Sequence, residues 1–405
     1  MRKKSPCLVH RCLPSLLLAG CVLLAPMHVM AFGIAPEGGD FTSRSLAQKL
    51  LKLISRLEGD AVEIYIRGFQ QDVHEQITRE AYEQAGIVPG PGVLEGVEWN
   101  DNPPFKLTRE QAAIAPMCAG LPIKIPSEWP GCWFVVFGAA SRQASPPGDN
   151  VAFGPESPIL SRTHFGDLQF LHAMARDGEE AAQTRSKIMD WARFAYAVAD
   201  GSIDLNTVLS SEQAGTGAQF FPARFELYRQ QRVRELFASD REYSWVPKVS
   251  DGLAARIRDM AFGSLLHIVQ DSFSKAHVLR ETPPASDDHW PPGRVCEFHG
   301  YGHQDHWKHA DADGRDKFEN ADTRPYVIAA LRKVIERRNA LPGHWDELKP
   351  VLEKIFDVAD GARRAGPGAA YASTFHGMVG PQGEELMPLP TYVAPDPDVA
   401  HCGPR

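Results

Sequence analysis

The stretch Asp251-Gly-Leu-Ala-Ala-Arg-Ile-Arg-Asp-Met260-Ala-Phe-Gly-Ser-Leu265-Leu-His267-Ile-Val-Gln-Asp271-Ser-Phe-Ser-Lys-Ala-His277 decides how the chain is read. Ser250 or Asp251 can cap a helix, and Met260, Leu265, Ile268 and Val269 supply its apolar positions, so the spacing predicts a helix over roughly 253–280. His267 and Asp271 stand four residues apart, on one helix face and close enough to share a metal ion. His277 would lie about 80° around and about 15 Å along an ideal helix from His267. It therefore suits a neighbouring ion, with Asp271 between the two.

Working outward, His306-Trp-Lys-His309-Ala-Asp-Ala-Asp313 repeats the four-residue pair in His309 and Asp313. A lone pair of this kind is ordinarily a helix histidine bonded to a nearby carboxylate. Two pairs with His277 between them favour metal. Imidazole and carboxylate donors without thiolate suit zinc in a hydrolytic role better than a structural site. His-Glu-x-x-His, Gly-x-Ser-x-Gly and a phosphate-cradling glycine loop are absent from the sequence.

Elsewhere the chain reads as helices joined by loops. Leu46, Leu50, Ile54 and Leu57 form a helical stripe, and Asp72 with Glu75 resembles a capping box for a helix over about 73–86, with His74 in its first turn. Residues 101–163 are rich in Pro and Gly and form an elaborated loop in which Trp133 to Phe137 could make a short strand. Helical patterns follow at about 165–176, 178–200, 221–238, 324–339 and 345–361, with a polar, His-rich loop over 283–315. No internal repeat and no convincing sheet is legible, so the expected fold is all-α: a multi-helix domain over 32–362 with a long Pro/Gly-rich insertion at 102–160. A Pro/Gly-rich tail, 363–405, should run over its surface.

Residues 1–31 read as an export signal: basic Arg2 to Lys4, an apolar run from Leu13 to Ala25, and small residues Val29 and Ala31 before Phe32. Leu18-Ala19-Gly20-Cys21 also fits a lipoprotein box, but Val22 to Ala25 continue the apolar run where such proteins turn polar. The expectation is cleavage near Ala31 and a secreted or periplasmic product, with a lipoprotein anchored at Cys21 as the alternative. No other stretch reaches the roughly 20 apolar residues of a membrane span. Removing the segment takes four basic residues and no acidic one, shifting the formal charge from −8 to about −12. That argues against a binder using a broad basic face. Cys118, Cys132, Cys296 and Cys402 remain. An even number in an oxidising compartment predicts two disulfides, Cys118–Cys132 and Cys296–Cys402.

His267-x3-Asp271-x5-His277 followed by His309-x3-Asp313 resembles the superfamily of zinc-dependent phospholipases C and single-strand-specific nucleases, all-helical proteins with three clustered zinc ions. The order of other segments agrees: His74 to Ala81 is similar to the family's early histidine helix, Trp99-Asn-Asp101 to its Trp-x-Asp segment, and His164-Phe165-Gly-Asp167 to its His-Phe-x-Asp segment. The resemblance implies that Asp101, His164, His267 and Asp271 bind one zinc and that His277, His309 and Asp313 bind a second. His74 and a bridging Asp271 would hold a third. In the family an N-terminal tryptophan completes that third site through backbone atoms; here Phe32 stands in its place, so two firmly held zinc ions and a weaker or differently ligated third are expected. His172 is an alternative to His164 that the pattern places in the core or on the surface. His299, His303 and His306 compete with His309, and Asp305 or Glu297 with Asp101.

Clustered zinc suits phosphate-ester hydrolysis. By resemblance Asp101 is both ligand and candidate base. The acidic mature chain favours a glycerophospholipid substrate, reached by transient contact with a membrane surface. A single-strand nuclease is the runner-up, in which Phe165 and Asp167 would stack on and hydrogen-bond a base. A non-catalytic exported zinc-binding protein is the third reading; it explains the histidines from His289 to His309 but not Asp271 and His277.

Overall fold

The computed structural model describes residues 73–104, 140, 153–225, 228–238, 249–304, 306–314, 317, 323–372 and 402. The segment 1–31 read as an export signal, Phe32, the stripe from Leu46 to Leu57, Trp133 to Phe137 and the pair Cys118 and Cys132 lie outside them. In chain order the helices are α1 (Val73–Ala85), α2 (Val93–Trp99), α3 (Ile159–Phe165), α4 (Ala181–Asp200), α5 (Val233–Phe237), α6 (Asp251–Asp271), α7 (His306–Ala312), α8 (Arg324–Ala340) and α9 (Trp345–Ile355). The chain is mostly helical, as expected, and a small sheet is added by β1 (Val278–Arg280) and β2 (Val295–Phe298).

The axis of the fold is α6. Every residue from Met260 to Asp271 is buried, so this half is enclosed on all sides, as a helix apolar all round must be. Packed against it are α2, α4, α5, α8 and the 3₁₀ turn Gln169–His172. The approach of α2 is closest. A Cβ on Gly263 would stand 2.2 Å from Val93 O, and one on Gly96 would stand 2.2 Å from Met260 O. Backbone therefore lies on backbone at this crossing, a contact open only to glycine. The first helix, α1, packs against α2 and α8 and touches α6, where the rings of His74 and His267 lie 4.1 Å apart.

Several expected elements are shorter than their patterns. The helix predicted to 280 stops at Asp271, because the carbonyls at its end find other donors: Arg280 Nε donates to Ser272 O at 2.8 Å, and Ser272 Oγ to Val269 O at 2.7 Å. The pattern at 165–176 resolves into the end of α3, a reversal at Gly166 and the 3₁₀ turn, since Phe165, Leu168, Phe170 and Leu171 are buried in a tight turn and not along one helix face. Of the described residues in 221–238 only Val233–Phe237 is α-helical; a 3₁₀ segment, Glu212–Phe220, ends just before Pro222. The helix expected to 361 ends at Ile355, beyond which Val295 N–H donates to Asp357 O and Ala359 N–H to Val295 O. The unforeseen sheet pairs Val278 with Phe298 and slips register between Leu279 and Arg280. Its strands are too short for alternation to mark them, and the prolines between them read as loop.

The tail is tied to the body. Gly300 N–H donates to Gly366 O, Gln304 bridges to Ala372, and Cys402 is paired with buried Cys296 on β2, Cα to Cα 5.1 Å. No helix among the described residues is long and apolar enough to cross a membrane.

Candidate metal centre

Each polar residue of the centre is delivered by an element end or by the buried half of α6. On that helix His267 and Asp271 share a face, and the turn after it brings His277 back: Ser274 N–H donates to Asp271 O and His277 N–H to Ser274 O. His277 Nδ1 then lies 3.6 Å from Asp271 Oδ2. Asp101 follows α2, where Trp99 Nε1 donates to Leu236 O at 2.7 Å and Asn100 Nδ2 to Leu171 O at 2.6 Å, pinning the segment between α5 and the 3₁₀ turn. His74 opens α1, His164 lies in the last turn of α3, and His309 and Asp313 come from α7 and the residue after it.

Three buried groups result, each with ligand atoms mutually within 4.8 Å: His74, His267 and Asp271; Asp101, His164 and His172; His277, His309 and Asp313. Asp271 faces two ways. Its Oδ1 is 3.4 Å from His74 Nε2, and its Oδ2 is 2.8 Å from His267 Nε2 and 2.9 Å from His172 Nδ1. Asp101 Oδ2 is 3.9 Å from His74 Nε2. Asp313 Oδ2 meets His309 Nε2 at 3.0 Å and His277 Nε2 at 3.3 Å, while its Oδ1 accepts from Ser274 Oγ at 2.6 Å.

The histidines share one orientation. Nδ1 donates to Val97 O at 2.7 Å in His267, to His172 O at 2.7 Å in His277, and to Leu160 O at 3.0 Å in His164. In His74 and His309 it donates, at 2.5 Å each, to Gln270 Oε1 and Gln304 Oε1. Those amides are themselves fixed: Gln270 Nε2 donates to Thr78 Oγ1, and Gln304 Nε2 to Ala276 O and Pro367 O. With Nδ1 protonated and turned outward, His74, His164, His267 and His309 present an Nε2 lone pair to the cluster, and His277 does so once a cation displaces its second proton, the arrangement in which histidines ligate metal.

Asp101 Oδ1, Asp271 Oδ1 and His172 Nε2 are buried and make no hydrogen bond. Buried polar atoms left so are costly, and a cation among them removes the cost. Burial, with His267 as the next cause, pushes His74 down to about 3, and burial pushes His267 to about 3 and His164 to about 4, so these rings are neutral and able to ligate. Asp101 is held well above the carboxylate range by burial and then by Asp271. His277 is the exception: burial opposes its charge, but Asp313 and Asp271 raise it to about 9. The donor set thus fits metal ions in three buried groups.

All eight residues read from the sequence as ligands come together, in a different partition: His267 groups with His74, and Asp101 with His164 and His172. His74, whose ordinary reading was an exposed first-turn residue, is buried. His172, set aside as core or surface, sits inside the cluster. Its signal was available in its eight-residue separation from His164, but the intervening reversal was not. Phe165 packs edge-on against Tyr301 at 5.1 Å, and Asp167 takes Arg162 Nε and Nη2 at 2.8 and 2.9 Å, so both are engaged with protein groups. His299 is bonded to Ala276 O and His303 pairs with Asp177, both outside the three groups. Comparison with protein-family models, curated proteins and solved structures gave no match.

Proposed function

We propose that the chain is an exported zinc-dependent phosphodiester hydrolase acting on glycerophospholipids in the manner of a phospholipase C. The observation that carries this reading is the shared orientation: five histidines with Nδ1 committed outward and Nε2 facing the carboxylates of Asp101, Asp271 and Asp313. Such care over tautomers has a chemical use only if the lone pairs ligate. Zinc bound there would neutralise phosphoryl oxygens, lower the pKa of water and stabilise the leaving oxygen.

The chain's own part is to position and to move a proton. His277, His309 and Asp313 form one wall, with Asp313 turned by Ser274 so that Oδ2 faces both rings. Asp101, buried and with Oδ1 free of hydrogen bonds, is placed to accept the proton of an attacking water. The phospholipid is preferred to single-stranded nucleic acid because the mature chain is acidic and because Phe165 and Asp167 are already engaged.

Hydrolysis of bis-p-nitrophenyl phosphate by the purified protein, abolished by chelator and restored by zinc, is the expected result. Phosphatidylcholine vesicles and single-stranded DNA then separate the two substrates. A protein that retains zinc and cleaves none of the three would favour the metal-buffering reading.

A further inference from the structure

Six imidazoles meet in the cluster, and one is held unlike the rest. His172, 3% exposed, ends the 3₁₀ turn just before Ala173, whose left-handed φ of 51° redirects the chain. Neither ring nitrogen of His172 has a backbone carbonyl or side-chain amide to donate to among the described residues. Nδ1 lies 2.9 Å from Asp271 Oδ2, 3.1 Å from His267 Nε2 and 3.7 Å from Asp101 Oδ1, while Nε2 is buried without a hydrogen bond.

Those three neighbours are donor atoms of the cluster: Asp101 belongs to the group of His172 itself, and His267 and Asp271 to the adjoining one. Donors about 2.1 Å from a tetrahedral zinc stand roughly 3.3 Å from one another. The separations around Nδ1 bracket that value. Groups that merely orient a ligand stand behind it, as Val97 O does for His267 and Gln270 for His74. Nδ1 of His172 stands in front, among the ligand atoms.

Resting on the metal-centre reading, we infer that His172 is a further metal ligand, binding through Nδ1 an ion placed between Asp101 of its own group and His267 and Asp271 of the adjoining one. Its ring enters the shell with the opposite nitrogen from the other five histidines, and its own carbonyl orients His277 of the neighbouring group. The added imidazole raises the nitrogen share of this site and favours zinc and late transition metals over magnesium or calcium.

Two substitutions separate a ligand from a packing role. His172→Phe keeps the ring shape without a donor atom. His172→Asn places an amide oxygen near the position of Nδ1. Zinc per chain after dialysis and competition with a chromogenic chelator should show one ion held roughly 100-fold or more weaker in His172→Phe, beyond the 10–100-fold of an outer partner, and partly rescued in His172→Asn. Unchanged zinc binding in His172→Phe, alongside loss in Asp271→Ala, would overturn the ligand role and leave the centre standing. Wild-type protein that holds no zinc would overturn both. Should neither His172 variant fold, nitrogen-15 NMR of the wild-type chain loaded with cadmium-113 decides: metal coupling at Nδ1 of His172 is expected, and coupling at the other histidines but not there refutes the inference.

Discussion

Adding one methyl group at Gly263 should damage a metal ligand it does not touch. Its Cβ would stand 2.2 Å from Val93 O and 2.6 Å from Val97 N, both backbone atoms of α2. Ordinary contact begins near 3.4 Å, so the two helices must part by roughly 1 Å, and overpacking of this kind costs about 1–3 kcal/mol. The same displacement pulls Val97 O from His267 Nδ1, a bond of 2.7 Å whose loss costs about 1 kcal/mol and frees the ring to turn. Gly252→Ala is the control within the same helix. Nothing lies within 4 Å of its Cβ, so it should be neutral or stabilising by up to about 1 kcal/mol. Denaturant unfolding of the chelated proteins gives the stability difference, and zinc competition titrations give the effect at His267. A Gly263→Ala protein with wild-type stability and zinc affinity would refute the close-approach account.

Gln304→Ala removes the acceptor that turns His309, and should weaken zinc at His277, His309 and Asp313 by about 10–100-fold in the same titration, with the other ions unaffected. Because Pro367 O helps to fix Gln304, and Cys402 ties the tail to β2, Cys402→Ser should lower stability by about 2–4 kcal/mol in denaturant unfolding, and reductant should destabilise the wild type by a similar amount while leaving the variant unchanged. The hydrogen bond from His303 to the part-exposed Asp177 raises the imidazole above 6.5. This contribution is complete below 6.5 and is lost as pH rises through the folded value, so stability should fall on that side, and His303→Gln should flatten the profile.

What the sequence made legible was local. His267 with Asp271 and His309 with Asp313 are four-residue relations that a helix fixes by itself, and both hold. His277 was assigned to a separate ion from the angle of an unbroken helix. The helix in fact ends at Asp271, and the separation is made by a turn in which Arg280, from β1, takes up the terminal carbonyl of Ser272. His172 is buried, within the reading of core or surface, but its place beside the other histidines was not legible because an apolar run of helical spacing concealed a reversal at Gly166, where a Cβ would lie 2.3 Å from Phe153 O. Gln270 and Gln304 were not read from the sequence, because their roles depend on Thr78, Ala276 and Pro367, which the fold brings to them. The Gly96 and Gly263 crossing belongs to the same class: either glycine alone reads as a weak helix residue, and only the packed pair explains why both are there.

A hydrogen-bonded polar core and a metal centre can contain the same residues, and protons tell them apart. In the group of His277, His309 and Asp313 a proton is at hand: His277 is raised to about 9 by Asp313, and the charged ring can satisfy a carboxylate held well below its usual range by His309 and His277 against the effect of burial. That group alone could be a salt-bridged core. The group of His74, His267 and Asp271 is poorer in protons. Both rings are pushed by burial to about 3, and their Nδ1 protons are spent on Gln270 and Val97. Their Nε2 atoms lie 3.4 and 2.8 Å from Asp271 oxygens, and the ring of His172, with Nδ1 2.9 Å from Asp271 Oδ2, can give a proton to one acceptor at a time. Acceptor set against acceptor in a dry interior is repulsive, and a cation placed among them turns each of these contacts into a bond.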